Sequence, residues 1–80
     1  MMTIEQIITA LGGPTEVGRI CGFDRNPGAR GHDMKRRQSI PVRYWPAIIQ
    51  HAKRKGITGI THKSLTEIHA SAAYPKEQAA

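Results

Sequence analysis

The chain is poor in most of what stabilises a small protein from outside its core. It has one cysteine, Cys21, so no intramolecular disulfide can form. A reducing compartment, the cytoplasm, is the expected setting. Four positions are aromatic, Phe23, Tyr44, Trp45 and Tyr74, too few for a sandwich core built on aromatic and β-branched residues. No apolar run approaches the ~20 residues needed to span a bilayer. The opening stretch from Ile4 to Leu11 is interrupted by Glu5 and Gln6, so neither a membrane segment nor a secretory leader is expected. Paired carboxylates, a Ser-His-Asp arrangement and a Gly-Lys-Ser/Thr phosphate loop are all missing. No enzymatic activity, cofactor, metal or small-molecule ligand is therefore expected. His62 and His69 fall on one face of a helix without a third ligand and read as surface histidines, while Cys21 reads as a small core residue.

Acidic residues are the other shortage. Six Asp and Glu stand against twelve Lys and Arg, a formal net charge of +6. Ten of the basic residues lie between Arg19 and Lys55, a window whose acids are Asp24 and Asp33 alone. Such a concentrated positive field draws in polyanions, and nucleic acid is the commonest of them. The plain alternative is a solvated surface that keeps the protein in solution, but that role gives no reason for the clustering.

What is present is helical periodicity. Ile4, Ile7, Ile8 and Leu11 fall at i, i+3, i+4 and i+7, behind a Thr3-x-x-Gln6 capping box and ahead of the helix-ending pair Gly12-Gly13. A second short helix opens at Pro14, shows Val17, Ile20 and Cys21 on its apolar face, and ends at Gly22. From Asp24 to Asp33 the composition is least helical, with Pro27, Gly28 and Gly31. A helix is expected there from about Ala29 to Arg37, weakened by about 1 kcal/mol for each glycine it contains. After Pro41 comes a short first turn, then a helix from Pro46 to Lys55 on Trp45, Ile48, Ile49 and Ala52, stopped by Gly56. The run from Gly56 to Thr61 could pair briefly as a strand with a partner. A last helix is expected from His62 to Ala72, capped by Thr61, with Leu65, Ile68 and Ala72 inward. The sum is one all-α domain over residues 1–73, a compact bundle of about five short helices, with a flexible tail over 74–80.

Two short helices joined by a tight glycine turn, with a basic third segment, satisfy the requirements of a helix-turn-helix. Gly18 lets another helix cross closely, Gly22 makes the turn and Phe23 anchors the recognition segment. In the order Val17, Gly18, Cys21, Gly22, Phe23 the chain resembles the Cro and phage-repressor (XRE-like) regulators. The run Lys35-Arg-Arg-Gln-Ser-Ile-Pro41 with Tyr44-Trp45 adds to the likeness, which covers residues 4 to 56. It departs from the pattern by a few extra residues between Phe23 and Met34, with Gly31 where an aliphatic anchor usually stands. The resemblance implies a transcriptional regulator, repressor or activator of a phage or mobile element, bound to duplex operator DNA as a homodimer.

On that footing Thr15, at the start of the second helix, is expected to meet a phosphate. Arg25, Asn26, Arg30 and His32 are the candidates for base edges, since Arg pairs with guanine and Asn with adenine. Lys35, Arg36, Arg37 and Arg43 are expected on the backbone, where contacts fix register without reading sequence. Tyr44, Trp45, Ile48 and Ile49 offer more apolar surface than three helices can hide. They are the expected dimer interface unless the last helix covers them within one chain. Two rival readings remain. Gly28-Ala-Arg-Gly31 has the Gly-x-x-Gly spacing of some single-strand RNA clamps, though without their sheet. A small protein-interaction module, anti-activator or antitoxin-like, would use the Trp45 surface and leave the basic patch idle.

Overall fold

Local chemistry sets the helix boundaries. In the computed structural model, which describes residues 2–73 and the side chains of 2–70, the Thr3 hydroxyl accepts from the Gln6 amide at 3.1 Å. The Gln6 side chain accepts in turn from the Thr3 amide at 2.9 Å. This reciprocal cap starts α1 (Ile4–Ala10). Gly12 and Gly13, at φ 115° and 101°, then turn the chain sharply into α2 (Pro14–Ile20). α3 (Pro27–Arg37), α4 (Trp45–Lys55) and α5 (His62–Ala73) complete an all-α bundle of five helices, with a 3-10 turn at Val42–Tyr44 leading into α4. At the head of α5, Thr61 and Ser64 exchange side-chain-to-amide bonds of 3.0 and 2.9 Å. The expected tail over 74–80, and the side chain of Ala72, lie outside the described residues.

α3 starts earlier than its composition suggests. Pro27 takes the first helical position, where its locked φ suits the helix and its missing amide proton is not needed, and Asn26 precedes it in the left-handed region at φ 50°. Gly28 and Gly31 are tolerated because of what faces them. A Cβ on Gly31 would collide with the Pro14 carbonyl, and one on Gly18 with the Pro27 carbonyl. The missing side chains on both helices let α2 and α3 pack backbone to backbone, across the Gly22 turn at φ 88°.

The core is a single aliphatic cluster with one indole in it. Ile4, Ile7, Ile8 and Leu11 of α1 meet Val17, Met34, Ile40, Ile48, Ala52, Leu65 and Ile68 from the other elements. Each fully buried side chain of this size is worth about 1.5–3 kcal/mol. The segment from Gly56 to Thr61 is irregular and sets Ile60 into this core at 3% exposure. Among the described residues no strand is formed, and no helix is long and apolar enough to cross a membrane.

Two expectations need correction here. Trp45 is 4% exposed and Ile48 0% within one chain, so neither can line a dimer interface. α5 covers them: the Trp45 ring lies 5.2 Å from the ring of His62 and 5.0 Å from that of His69. Tyr44 and Ile49 are half-buried against the same core. His69 is consequently no scattered surface residue. Its Nε2 accepts from the Ile40 amide at 2.9 Å while Nδ1 donates to the Leu65 carbonyl at 2.7 Å. The Trp45 indole donates to the Ile40 carbonyl at 2.7 Å. Cys21 is half-buried and packs against the core. Desolvation pushes its thiol up to about 11, so it stays protonated at neutral pH and is no nucleophile.

Candidate nucleic-acid interface

α3 presents its basic residues outward because the glycine face is spent on α2. Gly31 and Met34 are buried, whereas Ala29, Arg30, His32, Arg36 and Arg37 lie toward solvent. The helix carries Lys35, Arg36 and Arg37 in its last turn, where cations favour the negative end of the helix dipole. Arg25 and Asn26 are exposed in the turn before it. The two glycines of the Gly-x-x-Gly element face α2, Gly28 toward the Thr15 hydroxyl and Gly31 against the Pro14 carbonyl, so their backbone is taken up by helix packing and not open to clamp a single strand.

The nine residues named from sequence do not form one surface. Lys35 turns back toward α1, with its Nζ 3.9 Å from Glu5 Oε1. Thr15 is exposed in the first turn of α2, with its hydroxyl toward Gly28. Arg36 and Arg37 sit at adjacent positions yet converge on one carboxylate. Arg36 Nη2 lies 2.6 Å from Asp33 Oδ1, and Arg37 Nε 3.1 Å from Asp33 Oδ2. The hydrogen bond from Arg36, aided by the charge of Arg37, holds the Asp33 carboxyl below its ordinary value of 3.8. That pairing persists until the pH falls through the lowered value. Asp33 does not stand out in the sequence, although its spacing of three and four residues from two arginines is the pattern that pairs charges along a helix.

Arg30 of α3 and Arg43 of the 3-10 turn line one cleft. The guanidinium of Arg30 stands 5.1 Å from the centre of the Phe23 ring, and that of Arg43 5.1 Å from the Tyr44 ring. The two rings meet edge to face at 5.3 Å. The four side chains line a cleft of about 320 Å³ between α3 and the 3-10 turn, with Asp33, Met34 and Arg37 at its α3 wall. Phe23 and Tyr44 thus bring two arginines thirteen positions apart to one place. From sequence alone Phe23 reads as a core anchor and Tyr44 as an interface residue. No protein-family model, no curated protein and no solved structure matches this chain.

Proposed function

We propose that this protein is a sequence-specific, duplex-DNA-binding transcriptional regulator of the Cro and phage-repressor kind, working in the cytoplasm through a helix-turn-helix made by α2 and α3. The observation that carries the reading is α3 itself. It is locked to α2 through paired glycines, and its outer surface carries Arg30, His32, Arg36 and Arg37. A rigid helix with a cationic outer face fits the width of the major groove, and a segment of net positive charge supplies the backbone attraction. His32, Asp33 and Arg36 border one shallow hollow with Ala29. They stand where base edges would be met, with Asp33 steering Arg36 and able to accept from a cytosine amino group. Arg25 and Asn26 reach the same groove from the turn.

The rival reading as a protein-interaction module draws on Trp45 as a docking surface, and that side chain is buried at 4% exposure. Selection of binding sites from random duplexes, followed by footprinting, tests the proposal. The expected result is a short enriched site whose affinity falls steeply with salt, roughly one power of salt concentration per phosphate neutralised. Failure to enrich any sequence, with weak binding indifferent to salt, would overturn it.

A further inference from the structure

We propose that the cleft between Arg30 and Arg43 is a phosphate seat, which grips one backbone phosphodiester of the bound duplex. On this assignment Arg30 is a backbone residue and not a reader of bases. The inference rests on the DNA-binding reading above and deepens it.

Three features of the cleft support a phosphate. The first is uncompensated charge. Among the described residues neither Arg30 nor Arg43 has a carboxylate partner, and Asp33, at the cleft wall, is already engaged by Arg36 and Arg37. Two guanidinium groups sharing a cleft of about 320 Å³ repel each other, and an anion between them reverses the sign of that interaction. The second is orientation. A guanidinium held over an aromatic face keeps its N–H groups in its own plane, free to donate. Phe23 and Tyr44 support one arginine each and brace each other edge to face. Both forks are thereby held in place before the ligand arrives, which lowers the entropy lost on binding. The third is chemistry. Arginine forks match the paired oxygens of a phosphate, and each ring that backs them already carries an arginine.

The position fits a backbone role. Arg30 lies on the flank of α3 turned toward the 3-10 turn, whereas Ala29, His32 and Arg36 share the hollow on the opposite side of Asp33. A helix lying in the groove would direct that hollow at the bases and the flank at the adjoining strand.

Two measurements test this. The first titrates wild type, Arg30→Ala, Arg43→Ala and the double variant on the selected site and on scrambled duplex, at several salt concentrations. Each single variant should lose about tenfold on both duplexes alike. The double variant should lower the slope of log affinity against log salt by about 0.9, the value for one phosphate and not two. Loss on the selected site alone, or relaxed preference at one base pair with Arg30→Ala, would make Arg30 a base reader and overturn the seat.

The second measurement follows the side-chain Nε–H resonances of Arg30 and Arg43 during titration with inorganic phosphate and with a thymidine dinucleotide carrying one phosphodiester. Shifts of both resonances with either probe support the seat. If the chain binds no duplex yet those resonances titrate with inorganic phosphate, the regulator reading fails while the phosphate seat stands. If neither probe moves them and the double variant binds duplex as wild type does, the seat itself is wrong.

Discussion

At the scale of single residues, polar groups at the edge of the core are satisfied by a side chain that the sequence marks only as a histidine. His69 bonds the Ile40 amide with Nε2, and Trp45 takes the Ile40 carbonyl. Both backbone groups of one residue just before α4 are therefore fixed by side chains from α5 and α4. With Nδ1 donating to Leu65 and Nε2 accepting from the Ile40 N–H, the two ring nitrogens hold opposite hydrogen-bonding roles. Replacing His69 by Ala leaves that N–H without its partner and strips a ring from Trp45. A loss of about 1–3 kcal/mol is expected, several degrees in melting temperature for a domain of this size. His62, exposed and touching Trp45 edge-on, should cost less than about 1 kcal/mol when replaced by Ala. Thermal unfolding of the two variants compares them directly. Equal shifts would mean that the Ile40 bond contributes nothing.

At the scale of helices, the pairing of α2 with α3 decides whether the basic residues present a surface at all, and it depends on two glycines. A Cβ on Gly31 meets backbone that cannot move without separating the helices, so Gly31→Ala should exceed the ordinary overpacking penalty of about 1–3 kcal/mol and weaken DNA binding with it. Gly28 offers the contrast. Its Cβ would stand 2.9 Å from the Thr15 hydroxyl, a rotatable group on an exposed residue, so Gly28→Ala should leave the melting temperature nearly unchanged. Wild-type melting for Gly31→Ala would show that the helices do not cross as described. The same glycines mark where reading the sequence succeeds and where it stops. Gly18 and Gly22 are legible because a crossing and a turn each demand a small or left-handed residue. The stripes of α1, α4 and α5 are legible because four apolar positions at helical spacing have few other uses. The start of α3 is not, because helix propensity counts Gly28 and Gly31 as costs, and only the face of α2 turns them into packing. Trp45 and Ile48 are misassigned from sequence for a related reason: a stripe reveals that a face is buried but not whether α5 or a second molecule covers it. Arg30 and Arg43 are each legible as cations. Their meeting depends on Phe23 and Tyr44 touching across the fold, which no local spacing encodes.

At the scale of the whole molecule, the proposed function raises the question of how a chain so small would hold an operator. A stable protein–protein interface buries about 800 Å² on each partner around a largely apolar centre. Among the described residues Val42, at 64% exposure, is the one large apolar side chain left mostly in solvent, and of the four residues expected to pair two copies, Trp45 and Ile48 are inside the core while Tyr44 and Ile49 are half-buried against it. Two free molecules, each of net charge +6, also repel over about a Debye length, roughly 8–10 Å at ordinary salt. Duplex DNA removes that repulsion by neutralising both copies, and a palindrome sets two α3 helices about one helical turn apart, some 34–36 Å. The homodimer of our proposal is accordingly one that assembles on its site. By sedimentation the free protein should run as a monomer at micromolar concentration. On a duplex carrying both half-sites the second copy should bind more tightly than on a single half-site, and the advantage should vanish when the spacing is lengthened by half a turn. A dimer in the absence of DNA would overturn this order of assembly. Equal affinity for single half-sites and palindromes would instead leave each chain acting alone, with recognition confined to one α3 and its flanking phosphates.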